Sequence, residues 1–179
     1  MLDIEDGVAL NRKQQARENI SNLYDTDARV QNDLLGKYTV RINAPLSYLA
    51  KEDIKTLFDK KPKKSQPKCL FIPKTNSADD ITWLYERLDQ AIETSSSDQQ
   101  VNLYFYMESA LSLVNLKEII ETANRLTNDT YGNRFNLEGF VFGSDDFCAD
   151  ISAARTHDAY ELIYARQKLI TYCKNYYIL

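Results

Sequence analysis

The chain has 179 residues, of which 44% are hydrophobic and 27% charged, a balance that is typical of a folded globular domain and excludes a disordered protein. Lys and Arg number 22 against 26 for Asp and Glu, and the resulting net charge of -4 argues against nucleic acid as the main partner. No apolar run approaches the roughly 20 residues of a membrane helix, and a single histidine, His157, excludes sites built from several histidines.

The cysteines and the N-terminal residues add two further expectations. Cys69, Cys148 and Cys173 lie far apart and form no CxxC motif, which predicts a reducing compartment and neither a zinc site nor a disulfide framework. Residues 1–17 contain neither an apolar core nor an acid-poor Arg/Ser stretch, so they predict neither a signal peptide nor a transit peptide.

Five short apolar segments, rich in β-branched and aromatic residues, predict strands. They are residues 2–4, 38–43, 69–74, 101–108 and 139–143. Because the segments are continuous rather than alternating, they are typical of strands buried on both faces of a parallel sheet. We expect the side chains of Val40, Ile42, Phe71, Phe105 and Phe142 to share the inner face of that sheet.

Helical apolar stripes fill the intervals between these strands. The first stripe contains Ala16, Ile20 and Leu23, the second Ile54, Leu57 and Phe58, the third Ile81, Leu84, Leu88 and Ile92, the fourth Leu116, Ile119, Ile120 and Ala123, and the last Leu162, Ile163, Arg166, Leu169, Ile170 and Cys173. Ser77 followed by Asp80 predicts a capped start for the third helix. Residues 60–68 and 94–100 read as insertion-like loops.

The spacing of the units predicts the architecture. Strand and helix recur roughly every 35 residues, which is the unit of a (β/α)8 barrel of about 250 residues. The chain is therefore predicted to be α/β, a partial (β/α)8 TIM barrel with about five of the eight units, in a single incomplete barrel domain over residues 1–179.

Charged residues follow the predicted strands, where parallel sheets bind their ligands. Asp3, Glu5 and Asp6 end the first strand, Arg41 and Asn43 lie in the second, Lys74 ends the third, Glu108 the fourth, and Asp145 and Asp146 the fifth. Glu108 and Asp146 follow neighbouring strands and could together hold Mg²⁺, which retains several waters or takes substrate oxygens. The alternative is that each acid caps the following helix or pairs with a lysine.

Each cationic side chain in these patterns also has two interpretations. Arg41 lies within an apolar run, where it could form a fork for a substrate carboxylate or an ion pair with Asp3 or Glu5. Lys74 is expected to pair with a strand-end acid. Arg166 lies on an otherwise apolar helix face, which predicts a buried ion pair.

Six segments in this order resemble the HpcH/HpaI aldolase/citrate lyase family. They read LDIEDGVA, VRIN, FIPKT, YFYMESALSLVN, FVFGSDDF and LIYARQKLI, and the resemblance extends from residue 2 to about residue 176. It implies a (β/α)8 barrel that forms homotrimers and a Mg²⁺-dependent lyase. The implied reaction cleaves a carbon–carbon bond in a 3-hydroxyacyl-CoA such as citramalyl-CoA, giving acetyl-CoA and pyruvate. A mitochondrial location is implied, with the cytoplasm as the alternative.

The resemblance also implies roles for individual residues. Arg41 matches the family's substrate-binding arginine, Glu108 its metal-binding glutamate, and Asp146 its metal-binding aspartate. Asp145 stands where a glutamate is usual, Ser144 where a second glycine is common, and Met107 where valine or isoleucine is usual.

By the family pattern the chain corresponds to the second to sixth units. The catalytic aspartate is then expected in the C-terminal part of the family barrel, so no catalytic residue is assigned in this chain. The alternative interpretation is a truncated, catalytically inactive homologue or a fragment that binds complete subunits, and little or no lyase activity is expected of this chain alone.

Overall fold

The computed structural model describes residues 1–33, 36–93, 100–132, 134–176 and 178. The described residues contain five strands in one sheet, with the order β1-β2-β3-β4-β5 and every neighbouring pair parallel. The strands are β1 (Leu2–Asp3), β2 (Val40–Arg41), β3 (Cys69–Ile72), β4 (Val101–Met107) and β5 (Phe135–Phe142). Most of the loop predicted at 94–100 lies outside the described residues.

Helices follow the strands, and the longer ones form one layer. They are α1 (Lys13–Thr26), α2 (Ala28–Gln31), α3 (Tyr48–Phe58), α4 (Ala78–Glu93), α5 (Ala110–Val114), α6 (Leu116–Arg125), α7 (Ser144–Asp150) and α8 (Ile163–Asn175), with a π-helical turn at Leu126–Thr130. The helices α1, α3, α4, α6 and α8 pack side by side in chain order. Such a layer beside a sequentially ordered parallel sheet is compatible with part of a TIM barrel. Among the described residues, no helix combines the length and apolar composition that a membrane span requires.

The two faces of the sheet differ, which corrects the prediction that both are buried. Along β4 fully buried residues alternate with half-buried ones. Leu103 and Phe105 face the helices, whereas Tyr104 and Tyr106 lie on the opposite, inner face. The Tyr104 ring stacks on Phe71 of β3 with 4.7 Å between ring centroids. The apolar run of β4 therefore combines a core face with an aromatic inner face.

The register also corrects the predicted set of inner-face residues. Arg41 lies beside Phe71, and Phe71 lies beside Tyr104, so these three share the inner face. Val40, Ile42 and Phe105 are fully buried on the helix side instead. The side-chain period of 2 along a strand determines this assignment once the pairing is known.

Strand boundaries differ from the predictions where polar residues intervene. β5 begins at Phe135, not at residue 139 as predicted. The prediction started too late because the polar residues Asn136 and Glu138 lie within the strand and interrupt its apolar pattern. The pairing shifts there: Leu103 lies beside Leu137 and Tyr104 beside Gly139, which leaves Glu138 as an extra residue in a bulge. β2 is shorter than predicted. The backbone N–H of Asn43, which the prediction placed in the strand, donates to the Asp53 carboxylate and not to a neighbouring strand.

The first and last helices bury different residues from those predicted. In α1 the buried set includes Lys13, Arg17, Ile20 and Tyr24, whereas Ala16 and Leu23 are only half-buried. The predicted stripe was therefore displaced by one position around the helix.

In α8 the buried residues are Ala165, Leu169 and Cys173, and Ile163 and Ile170 are exposed. Arg166 is exposed and lies over the ring of Phe142, 5.9 Å from its centroid, so the predicted buried ion pair is wrong.

The predicted cap at the start of the third helix is confirmed. The Ser77 backbone N–H donates to the Asp80 carboxylate at 2.9 Å, and Ser77 Oγ accepts from the Asp80 N–H at 3.3 Å, which forms the expected cap at the start of α4. The three cysteines are free and buried.

Candidate functional site

The carboxyl ends of the five strands bring the predicted charged residues to one edge of the sheet. Asp3 ends β1, and Glu5 and Asp6 lie in the loop after it; Arg41 ends β2. Lys74 follows β3, Glu108 follows β4, and Asp146 lies in the first turn of α7 after β5. Because parallel strands place their carboxyl ends together, residues from five parts of the chain form one site.

Arg41 is paired with both acids named in the alternative interpretation. Its Nε donates to Asp3 Oδ1 at 2.7 Å and its Nη2 to Asp3 Oδ2 at 2.7 Å. Its Nη1 lies 3.1 Å from Glu5 Oε2. The hydrogen bonds to Asp3 raise the pKa of Arg41 and outweigh its burial. Asp3 and Glu5 therefore fix the guanidinium of Arg41, and any substrate contact uses the N–H groups of Nη1 and Nη2 that these two acids do not engage.

The Asp3 carboxylate also organises the loop after β1. It accepts hydrogen bonds from the backbone N–H groups of Glu5 at 3.0 Å and Gly7 at 2.9 Å. A Cβ on residue 7 would lie 2.4 Å from Asp3 Oδ2, so this close approach requires glycine. Burial raises the pKa of Asp3, but the hydrogen bonds from Arg41 and the backbone outweigh it and hold the pKa below its ordinary value.

Glu5 links the two cations of the site. Its side chain is buried, and its Oε1 lies 2.7 Å from Lys74 Nζ. Lys74 also donates to Asp6, at 3.1 Å and 3.0 Å to the two oxygens. Burial alone would lower the pKa of Lys74, but the hydrogen bonds to Glu5 and Asp6 raise it above its ordinary value. The prediction that Lys74 pairs with a strand-end acid is confirmed.

The strand ends border a cavity, and Glu108 is the most buried of the carboxylates that line it, with 7% of its surface exposed. Its Oε1 accepts the backbone N–H of Lys74 at 2.6 Å. Lys74 adopts a φ of 51°, an uncommon conformation for a residue with a side chain. Burial raises the pKa of Glu108, and the nearby carboxylate of Asp146 adds to this, although the Lys74 hydrogen bond opposes it.

Gly143 makes room for the Glu108 side chain. A Cβ at residue 143 would lie 2.6 Å from Glu108 Cβ and 2.5 Å from Glu108 Oε2. Neither contact is possible without displacing Glu108, so the glycine directly after β5 permits the position of the carboxylate at the end of β4.

Glu108 and Asp146 line one cavity of about 390 Å³. The other residues lining it are Asp6, Lys74, Asn76, Ser109, Ala149 and Asp150. Asp146 is exposed, and its carboxylate forms no hydrogen bond or ion pair with another described residue, whereas the adjacent Asp145 pairs with Arg155. No group of three or more potential metal-ligating His, Cys, Asp or Glu residues occurs in the part of the chain that the structure describes.

Two carboxylates beside an open cavity fit Mg²⁺ rather than zinc. Mg²⁺ prefers carboxylate oxygens, keeps several waters, and is commonly held by one or two protein carboxylates plus substrate oxygens. Glu108 Oε1 is engaged by Lys74, while the other oxygen faces Gly143, and Asp146 brings a second carboxylate to the cavity. The donor set therefore fits the expected metal.

A buried polar network beneath the site was missed by the sequence analysis. Lys13 Nζ donates to the backbone oxygens of Ile4 at 2.6 Å and Glu5 at 2.7 Å, and to Asn43 Oδ1 at 2.8 Å. The Asn43 amide donates to Asp53 Oδ2 at 2.7 Å, and Asp53 Oδ1 accepts from Arg17 Nε at 2.6 Å. The available signal was the i, i+4 spacing of Lys13 and Arg17 on the face of α1 that also carries Tyr24.

Comparison with known proteins identifies relatives along the entire chain. The profile of the HpcH/HpaI aldolase/citrate lyase family matches residues 1–179. The mitochondrial citramalyl-CoA lyase of Homo sapiens is 33% identical over 177 residues, which cover 97% of this chain and 48% of that protein. The chain thus spans about half the length of this curated relative.

Solved structures agree with the fold. RipC from Yersinia pestis superimposes with a TM-score of 0.70 at 27% identity, covering 98% of this chain and 65% of that one. CitE from Mycobacterium tuberculosis, solved in complex with magnesium and acetoacetate, superimposes with a TM-score of 0.64 at 22% identity, covering 100% of this chain and 61% of that one. The chain belongs to the HpcH/HpaI aldolase/citrate lyase family.

Proposed function

We propose that this chain carries the metal-binding part of the active site of a Mg²⁺-dependent carbon–carbon lyase that acts on a 3-hydroxyacyl-CoA of the citramalyl-CoA type. The observation that carries the proposal is the pair of carboxylates, Glu108 and Asp146, which line one cavity together with Lys74. The name of the human relative supports the reaction class, and the magnesium complex of CitE supports the metal.

Glu108 and Asp146 would hold the metal from two neighbouring strand ends. When bound, Mg²⁺ supplies Lewis-acid stabilisation of the negative charge that develops on substrate oxygens as the carbon–carbon bond breaks. The Lys74 N–H orients one Glu108 oxygen, and the space beside Gly143 accommodates the other. The Glu108 carboxylate is thus held in place by the chain itself, and preorganised groups of this kind are the general requirement for electrostatic stabilisation.

Arg41 would bind the carboxylate of the substrate or the enolate that is released. Its two hydrogen bonds to Asp3 fix the plane of the guanidinium. The N–H groups of Nη1 and Nη2 that Asp3 and Glu5 do not engage remain for a planar carboxylate. Lys74, held by Glu5 and Asp6, places a positive charge at the wall of the cavity that Glu108 and Asp146 line.

The remaining parts of the proposal concern the whole protein. The acyl-CoA substrate, a homotrimeric assembly and a complete (β/α)8 barrel follow from the family resemblance. A mitochondrial location is supported by the name of the human relative, and the cytoplasm is the alternative.

Calorimetric titration with Mg²⁺ tests the proposed ligands. We expect Glu108→Gln and Asp146→Asn each to weaken binding about tenfold or more, because each removes one of two carboxylate ligands. Asp145→Asn is the matched control: it makes the same change one residue away, at a carboxylate engaged by Arg155. Equal Mg²⁺ affinity in the four proteins would show that the metal assignment is wrong.

A further inference from the structure

Asn76 lies between β3 and α4, and it lines the same cavity as the proposed metal ligand Glu108. Contacts with three other residues hold it there. Its backbone N–H donates to Asp80 Oδ2 at 2.8 Å, and its backbone oxygen accepts from Asn115 Nδ2 at 2.9 Å. Its side-chain Oδ1 accepts from the hydroxyl of Ser109. Contacts within the chain therefore hold both the backbone and the side-chain amide of Asn76.

The hydrogen bonds of Ser109 determine which way the Asn76 amide points. Ser109 Oγ accepts the backbone N–H of Ser112 at 2.9 Å, in the cap of α5, and it still has one proton to donate. Asn76 Oδ1 accepts that proton, which leaves Nδ2 at the other end of the amide. Nδ2 makes no hydrogen bond with a described residue, and it is not one of the buried side-chain atoms without a partner, so it remains accessible.

Asn76 supplies the free donors of this cavity. The ammonium of Lys74 is engaged by Glu5 Oε1 and by both oxygens of Asp6, and the hydroxyl of Ser109 is engaged by Asn76. The other polar side chains at the cavity wall are carboxylates. Among the residues that line the cavity, all of which the structure describes, only Asn76 retains side-chain N–H groups that no neighbour engages.

We propose that Asn76 is a substrate-binding residue of the proposed lyase and that its Nδ2 donates to an oxygen of the substrate carboxylate beside the metal. This inference rests on the proposed function, because it places that carboxylate in the cavity of Glu108 and Asp146. A carboxylate has about four lone-pair sites, so one that contacts a metal still accepts hydrogen bonds. A neutral amide can donate to it without forming an ion pair with the surrounding acids.

Nitrogen-15 correlation spectra recorded during titration with oxalate, at a saturating Mg²⁺ concentration, test the contact. Oxalate reproduces the adjacent planar oxygens of a 2-oxo acid. The side-chain NH₂ signals of Asn76, assigned by their absence in Asn76→Asp, are expected to shift saturably. If the backbone amide signal of Ser109 shifts and these signals do not, oxalate occupies the cavity without the contact and the inference is wrong. Absence of any saturable shift would also overturn it.

Calorimetric titration with oxalate measures what the contact contributes. Asn76→Asp keeps an acceptor for the Ser109 hydroxyl but replaces the N–H groups with an anionic oxygen, and it is expected to weaken oxalate binding about tenfold or more. Asn76→Ala adds no charge and is expected to weaken it about fivefold. Asn22→Asp places the same new charge at an exposed position on α1 and is expected to leave the affinity unchanged. Unchanged affinity in both Asn76 variants, or an equal loss in Asn22→Asp, would contradict the inference.

The affinity for Mg²⁺ separates this inference from the proposed function. Neither Asn76 variant removes a metal ligand, so Mg²⁺ binding is expected not to weaken in either, and a loss of oxalate binding that only follows a loss of Mg²⁺ binding would contradict a direct contact. If Glu108→Gln weakens Mg²⁺ binding while the Asn76 variants retain full oxalate affinity, this inference alone fails. If Glu108→Gln leaves Mg²⁺ affinity unchanged, the proposed function fails and this inference fails with it.

Discussion

Glu108 occupies a position that depends on its two neighbours in space, Lys74 and Gly143. Lys74 adopts a positive φ of 51° and directs its N–H at Glu108 Oε1. Unfavourable backbone conformations of this kind persist where the surrounding structure enforces them, and they are concentrated at functional sites. Gly143 contributes by its missing side chain. The position of this carboxylate is therefore determined by residues 34 or 35 positions away in sequence.

Gly143→Ala is expected to displace the Glu108 carboxylate and to weaken Mg²⁺ binding about tenfold without removing a ligand. The reason is the 2.6 Å approach of the new Cβ to Glu108 Cβ, which neither side can relieve by rotation of a flexible chain end. Calorimetry measures the affinity, and Ser144→Ala at the next residue is the control. Unchanged affinity in Gly143→Ala would contradict the close-packing argument.

The cysteine thiols are expected to react slowly with a disulfide reagent in the native protein at about pH 8. Burial raises the pKa of Cys69 to about 12 and that of Cys173 to about 11, and the thiolate is the reactive form. Cys148 is also buried. Release of the coloured thiol product should be fast only after denaturant is added, and rapid labelling of all three native cysteines would contradict this expectation.

At the scale of elements, side chains hold the first two strands as much as backbone pairing does. β1 and β2 each contain only two residues. The Asp3–Arg41 fork joins them on the inner face, and Lys13 of α1 joins the loop after β1 to Asn43 after β2. Ionised and buried polar side chains thus help to join β1 and β2, whereas a longer ladder of backbone hydrogen bonds joins β4 and β5.

The Asp3–Arg41 pair predicts a pH dependence of stability. The folded-state pKa of Asp3 lies below its ordinary value of 3.8, so the pair contributes stability above that pH. This contribution is lost as the pH falls from about 4 through the folded-state pKa. Asp3→Asn is expected to lower the free energy of unfolding at pH 7 and to reduce the loss on acidification.

Urea denaturation at several pH values measures this effect. Asp129→Asn, at an exposed position in the π-helical turn, is the control and should retain the acid sensitivity of the unchanged protein. If Asp3→Asn and the unchanged protein lose stability in parallel below about pH 4, the pair does not carry the predicted dependence.

The strands and the positions of the site residues could be predicted from the sequence, for different reasons. Continuous apolar runs marked β3 and β4, and the rule that ligands lie at the carboxyl ends of parallel strands brought Glu108 and Asp146 together. The residues of the inner face could not be predicted from the sequence, because their identity depends on the strand register, which places Arg41 beside Phe71. The ion pairs of Arg41 remained one of two alternatives until the structure placed Asp3 and Glu5 against it.

The buried network and the start of β5 were missed for physical reasons. Lys13, Asp53 and Arg17 carry charges that apolar periodicity assigns to solvent, and only their mutual contacts make burial favourable. Glu138 interrupts the apolar pattern of β5 because it occupies a bulge.

At the scale of the whole molecule, the two faces of the sheet differ in burial: the face toward the helices is more buried than the inner face. The core between sheet and helices is closed, with Phe105, Leu84 and Ile119 fully buried. On the inner face Phe71, Tyr104 and Tyr106 are only half-buried. Parallel sheets are normally covered on both faces, and uncovered faces and strand edges favour association.

The isolated chain is accordingly expected to associate or to unfold without a sharp transition. Burying one such side chain contributes about 1.5–3 kcal/mol to the free energy of folding, whereas the total free energy of unfolding of a protein is about 5–15 kcal/mol. Size-exclusion chromatography combined with thermal unfolding measures both properties. A monomer with a cooperative transition above about 45 °C, typical of mesophilic domains, would contradict the expectation.

The central claim, a divalent-cation site at the ends of β4 and β5, is tested most directly by paramagnetic broadening with Mn²⁺. We predict that substoichiometric Mn²⁺ broadens the backbone amide signals of Lys74, Ser109 and Gly143, and that excess Mg²⁺ restores them. The amide of Gly132, beside the polar cavity that contains Asp89 and Asp129, should remain sharp. Broadening centred on Gly132, with the signals of Lys74 and Gly143 unchanged, would contradict the claim.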